Sequence, residues 1–183
     1  MADQGTSTVP VARAVAFRVA IGLLITLGFV VLLLGGRGMA AIALMLDRSH
    51  PHAPDWRQIA EAPLVIQVHL ATVVVAVLLA TVQVIGPKGR TFHRTLGWIL
   101  TGLFLITAIT ALFIRNPQGG LFNPFQVFSI WTLVCVPWAI IAARRHNVRR
   151  HGSLMYGFYF GGMLLAGALA FLPGRLMWRV FFG

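Results

Sequence analysis

Two histidines stand at the start of apolar segments, each behind a short basic loop. His93 and Arg94 follow the turn at 86–92, and His151 follows the arginine pair at 149–150. A helix N-terminus disfavours a positive charge, so we expect neutral imidazoles whose ring nitrogens can accept a hydrogen bond or ligate a metal. Both segments are predicted to begin on one face of the protein, so the two rings can meet. Bis-histidine ligation of a b-type haem is therefore one candidate function.

The basic side chains of the same two loops form a second candidate site. A ring of cations at a membrane surface attracts the anionic head groups of lipids. The candidates are Lys88, Arg90, Arg94, Arg149 and Arg150. The ordinary alternative is that these loops only set the topology.

A third histidine lies inside an apolar run. His69, Thr72 and Gln83 fall on one helical face together with two alanines. A stripe of polar and small residues should face protein and not lipid, and an ionisable residue in a span is a functional candidate. A carrier for a small molecule or ion is one interpretation, and a neutral histidine bonded to a neighbouring helix is the other. His69 lies about 24 Å or more in depth from the other pair, too far to share a metal.

Other patterns that could support catalysis or metal binding are weak. His50 and His52 lie in the polar loop 47–62 without a third ligand nearby, so we favour solvated side chains over a metal site. We find no nucleophile elbow, phosphate loop, zinc signature or pair of acids within a span. No catalytic residue is assigned, and an enzyme is not favoured.

The composition is that of a membrane protein. Hydrophobic residues make up 58% of the chain and charged residues only 10%, whereas soluble domains carry about 25% charged residues. The net charge of +11 comes from residues in short loops, so nucleic-acid binding is not expected. Cys135 is the single cysteine and cannot form an internal disulfide.

The elements that position the histidines are predicted to be transmembrane helices. We predict an all-α bundle with residues 1–12 disordered and a single transmembrane domain over 13–183. The five predicted spans are 19–36, 63–85, 96–114, 124–143 and 152–172. Their lengths match a bilayer core of roughly 30 Å. We interpret the first as a retained helix, because it is longer than the apolar core of a signal peptide.

The loops on the two sides of the predicted bundle differ in basic residues. The N-terminus and the loops 86–95 and 144–151 share the richer side, which should be cytoplasmic. This places the N-terminus in the cytoplasm and the C-terminus outside.

The chain carries signs of an internal duplication. His93–Trp98 aligns with His151–Tyr156, and Gln67–His69 aligns with Gln126–Phe128. Spans two and three are then repeated as spans four and five, with the first span as an addition. Chance similarity among apolar helices is the alternative. Gly157 and Gly161 suit close helix packing, either within the chain or at a dimer seam.

Together these features resemble DUF2306, a family of bacterial integral membrane proteins without a defined activity. The resemblance covers about residues 63–183. It rests on His69, Pro87–Gly89, His93, Arg94, Gly97, His151, Met155 and Pro173–Arg175. Gly152 departs from it, because the family more often has an arginine after the second histidine. The resemblance implies a multi-helix protein of the bacterial inner membrane.

Three functions are compatible with the sequence. The first, which the sequence favours, is a non-enzymatic membrane module that contacts anionic lipids and packs with a second copy or another membrane complex. The second is haem binding and electron transfer through His93 and His151. The third is a carrier that uses the stripe containing His69.

Overall fold

The computed structural model describes residues 49–114 and 125–183, together with isolated positions between residues 20 and 47. These parts of the chain are helical and contain no strand. The helices are α1 (Trp56–Ala60), α2 (Leu64–Ile85), α3 (Thr91–Phe113), α4 (Gln126–Arg144), α5 (Val148–Gly157), a π-helical segment (Phe158–Leu164), α6 (Leu165–Ala170) and α7 (Leu176–Phe182).

Four stretches within the described residues are long and apolar enough to cross a membrane. They are α2, α3, α4 and the continuous helix Val148–Ala170. The all-α prediction is confirmed for the described part of the chain. The predicted first span, 19–36, and the predicted disordered segment, 1–12, lie outside the described residues.

Two of these helices begin earlier than the sequence suggested, which changes the setting of both histidines. α3 begins at Thr91 and not at 96, and α5 begins at Val148 and not at 152. Asn147 caps α5, because its side chain accepts a hydrogen bond from the Arg150 amide. His93 and His151 therefore lie within the first turn of a helix and not in the preceding loop.

The four long helices pack as successive neighbours around one core. α2 packs on α3, α3 on α4, and α4 on α5. The core includes small side chains such as Ala76, Cys135 and Ala139 beside the aromatic pair Phe104 and Phe158. A hydrogen bond of 2.7 Å between the hydroxyls of Thr81 and Tyr159 joins α2 to the π-helical segment. The first and last long helices are thereby connected across the bundle.

The loop predicted over 47–62 contains a short helix and is attached to the C-terminal end of the chain. The amides of His52 and Asp55 donate to the carbonyls of Phe181 and Val180. The His52 ring contacts the Gly183 carbonyl at 2.9 Å. We call the end of the bundle formed by α1 and α7 the α1–α7 end, and the end with the loops 86–90 and 145–147 the basic end.

Candidate functional site

His93 and His151 come together at the basic end of the bundle. Their ring centroids are 6.3 Å apart, and the ring planes are nearly perpendicular, at 86°. His93 belongs to the first turn of α3, and His151 to the first turn of α5. Two histidines 58 positions apart in the chain therefore form one site.

The hydrogen bonds of His151 define which of its ring nitrogens is free. Nδ1 lies 2.9 Å from the carbonyl oxygen of Ala139 in α4. A carbonyl can only accept, so Nδ1 carries the hydrogen and donates it. In the neutral ring Nε2 then has a free lone pair. Histidines that ligate metals are commonly held in this way, with one nitrogen bonded to a carbonyl and the other open to the metal.

The His93 ring has no hydrogen-bond partner among the described residues. Its Nδ1 is buried and unsatisfied, the one such side-chain atom in the described part of the chain. A buried polar group without a partner costs about 1–3 kcal/mol, so such atoms are rare in native structures. His93 Nδ1 is therefore an unusual group at the basic end of the bundle.

Gln83 positions the turn that carries His93. Its side-chain amide donates to the His93 carbonyl at 2.8 Å and so connects the end of α2 to the start of α3. Gly97 lies beside this contact, where a Cβ would be in ordinary van der Waals contact with the Gln83 amide nitrogen, at 3.5 Å. Gln83 thus belongs to the basic end, whereas His69 and Thr72 of the same predicted stripe lie beside Thr107, toward the α1–α7 end.

The basic residues at this end have different roles. The Lys88 ammonium donates to the carbonyls of Gln83, Val84 and Gly86 at 2.6–2.9 Å, which caps the C-terminus of α2. Burial lowers the pKa of Lys88 from its ordinary value. The Arg150 guanidinium lies over the Trp138 ring, 4.7 Å from its centroid. The side chains of Arg90, Arg94 and Arg149 are exposed.

His69 lies near the other end and has its own partners. Its Nδ1 donates to the Thr107 carbonyl at 3.0 Å and is 3.2 Å from the Thr110 hydroxyl. The Thr107 hydroxyl donates to that of Thr72 at 2.9 Å. The interpretation as a histidine bonded to a neighbouring helix is therefore correct for Nδ1. His69 Nε2 makes no hydrogen bond within the described residues.

The family of the chain follows from its sequence. A family model described as a predicted membrane protein, DUF2306, matches residues 66–181. The chain belongs to the DUF2306 family. No curated protein and no solved structure matches this chain significantly. The matched region of this DUF2306 protein contains all three histidines described above and all four candidate spans almost entirely.

The sites of this DUF2306 protein include partners that sequence reasoning missed. Ala139 contributes a backbone carbonyl, for which side-chain identity gives no signal. The partners of His69 could have been predicted from the spacing of Thr107 and Thr110. Residues three apart lie on the same side of a helix, so both hydroxyls lie on one side of α3. Of the aligned positions in the predicted duplication, His93 and His151 lie next to each other, and His69 and Phe128 line the same cavity.

Proposed function

We propose that this membrane protein binds a b-type haem through His93 and His151 and transfers electrons. The observation that carries the proposal is the convergence of the two imidazoles at the basic end, with a centroid distance of 6.3 Å. This favours the haem alternative over a membrane module without a ligand.

The distance between the rings is compatible with two ligands of one metal. With metal–nitrogen bonds of about 2.0 Å, two imidazoles on the same metal have ring centres about 5–6 Å apart. The observed centroid distance of 6.3 Å is close to this range, so His93 and His151 could hold one haem iron between them.

The number of available protein ligands also supports haem as the bound group. Among residues 49–114 and 125–183, no cluster of three or more His, Cys, Asp or Glu side chains is arranged to hold a metal. A bare ion such as zinc takes about four protein ligands, whereas haem would need only the two imidazoles from the protein. The unpaired Nδ1 of His93 and the free Nε2 of His151 make the pair a suitable donor set.

The surrounding charge also suits haem. Haem carries two carboxylates, and the loops at the basic end contain arginines but no acid. Arg94 and Arg149 are exposed beside the histidines in sequence and are the candidates to pair with those carboxylates. When bound, haem supplies reversible one-electron chemistry. The chain holds both imidazoles in place, through the Ala139 carbonyl for His151 and Gln83 for the His93 turn.

An absorption spectrum of the purified protein tests this proposal. We expect the full chain, prepared in detergent from haem-replete cells, to show an intense Soret band near one haem per chain and sharpened visible bands after dithionite reduction. Acidified acetone should extract the haem, because the b type has no covalent bond to protein. A colourless, folded preparation that does not acquire a Soret band on titration with hemin would refute haem binding.

We also propose that the protein lies in a bacterial inner membrane with five spans, the basic end in the cytoplasm. The support is the charge difference between the ends: three of the four acids lie in the α1–α7 end or just before it, and none lies in the loops at the basic end. A reporter active only in the cytoplasm, inserted between Arg145 and Asn147, should be active. Activity of a periplasmic reporter at that position would overturn the orientation.

A further inference from the structure

The bundle contains a cavity at its α1–α7 end, away from the histidine pair. Its volume is about 650 Å³, which falls within the usual range of about 300–1,000 Å³ for small-molecule sites. The walls come from α2, α3, α4, α6 and the π-helical segment. Thr107 and His93 are fourteen positions apart on α3, so this cavity and the haem site are separated by about 20 Å along the bundle.

The deepest part of the cavity is apolar and is shaped by the π-helical segment. Phe158 and Gly162 of that segment line the cavity together with Ala76 and Phe104. A Cβ added at Gly162 would lie 3.2 Å from the Phe158 ring, so the glycine allows the ring to occupy its position. π-helical turns interrupt α-helices frequently at functional sites, and here the interruption forms the wall of a cavity.

Two polar side chains, Ser129 and His69, also line the cavity. Ser129 is 4% exposed, but its hydroxyl is not among the fully buried atoms without a partner. The Ser129 hydroxyl can donate a hydrogen bond to an occupant. His69 Nδ1 donates to the Thr107 carbonyl, so Nε2 of the neutral ring can only accept.

The mouth of the cavity carries an excess of positive charge. Arg175 and Arg179 line it with a single acid, Glu61, whose carboxylate lies 3.6 Å from the Arg57 guanidinium. The Arg175 guanidinium is 4.3 Å from the centre of the Phe125 ring. Phe125 precedes Ser129 by one helical turn. The Arg175 charge beside the Phe125 ring therefore lies about 6 Å from Ser129 along the helix axis.

We propose that this cavity binds a single-chain amphipathic carboxylic acid, with its acyl chain in the apolar part and its carboxylate between Arg175 and Ser129. The order of the lining groups supports this class: apolar residues, then polar groups, then arginines. A neutral lipid would leave the arginines without a counter-ion. The site is independent of haem.

The binding of cis-parinaric acid, whose fluorescence increases on burial, tests the site in the full detergent-solubilised chain. We expect saturable binding of one molecule per chain and at least about tenfold weaker binding of its methyl ester, which lacks the charge. Equal affinity for acid and ester would overturn the assignment of an acidic head group. The absence of saturable binding would overturn the site itself. That result is expected, for example, if another part of the chain fills the cavity.

Two matched pairs of variants locate the probe. Ala166→Phe fills the cavity from α6, whereas Ala168→Phe adds the same ring at an exposed position of that helix that does not line the cavity. Arg175→Gln removes a charge at the mouth, whereas Arg145→Gln removes one at an exposed position of the basic end. We expect only the first member of each pair to weaken binding by about tenfold or more. Equal effects within each pair would contradict the location. None of these variants alters a haem ligand, so an unchanged Soret band separates this result from that of the haem proposal.

Discussion

Replacing His151 with alanine is expected to remove the Soret band, with haem content falling by more than about tenfold. The basis for this magnitude is that loss of a residue that merely supports a ligand already costs roughly 10–100-fold in metal affinity. His151→Ala removes the ligand together with its bond to the Ala139 carbonyl. Haem content is measured from the absorbance of the pyridine haemochrome, using equal amounts of variant and unmodified protein.

His93 allows a sharper version of this test, because its unpaired ring nitrogen lowers the stability of the haem-free protein. His93→Leu should also lose haem by more than about tenfold. It replaces a ring whose Nδ1 is buried and unpaired, and removing such a group relieves a cost of about 1–3 kcal/mol. The haem-free variant should therefore unfold at a temperature equal to or higher than that of the haem-free unmodified protein.

The control for both variants is His146→Ala. His146 lies in the loop before α5, is exposed and has no ring contact with the other histidines. It should keep the full Soret band. If His151→Ala and His93→Leu keep the band as well, the two-histidine site is wrong even if the protein binds haem elsewhere.

Much of this site was predictable from the sequence, because it depends on side-chain type and helix polarity. His93 and His151 each follow a basic loop and begin an apolar helix, so a bundle with alternating helix directions must place them at one end. The predicted helix starts were four or five residues too late. α3 begins without a side-chain cap, and the prediction did not use Asn147, the capping residue that precedes α5 at Val148.

What the sequence did not predict depends on backbone groups and on empty space. Gln83 shares a helical face with His69, yet the carbonyl it bonds belongs to His93 at the basic end. Every residue has a backbone carbonyl, so the sequence does not indicate which carbonyl will accept a side-chain hydrogen bond. The cavity is equally hidden, because it arises where Gly162 and several alanines fail to fill the space between helices.

The glycines of the last long helix show how one pattern can include two environments. Gly157 and Gly161 are exposed, and a Cβ on either would meet nothing within 4 Å. Gly162 is buried against Phe158 and lines the cavity. Gly157 and Gly161 thus leave an open strip on the helix surface, whereas Gly162 shapes the interior.

The second large effect is expected from Ala139→Leu, which adds three carbon atoms at a position with 0% exposure. Ala139 lies in α4 where α5 packs against it, and its carbonyl accepts the hydrogen bond from His151. Overpacking a filled core typically costs about 1–3 kcal/mol. Because the Ala139 carbonyl holds the His151 ring, a shift of α4 caused by the added side chain should also move that ring and reduce haem content.

Ala143→Leu is the matched control, since it makes the same change one turn later in α4 at an exposed position. It should shift the free energy of unfolding by no more than about 0.5 kcal/mol and keep the Soret band. Thermal unfolding in detergent, monitored by circular dichroism, gives the comparison for haem-free protein. Equal melting temperatures for the two variants would show that α4 and α5 are not closely packed at Ala139. A destabilised Ala139→Leu protein with normal haem content would instead show that the Ala139 carbonyl does not position the His151 ligand.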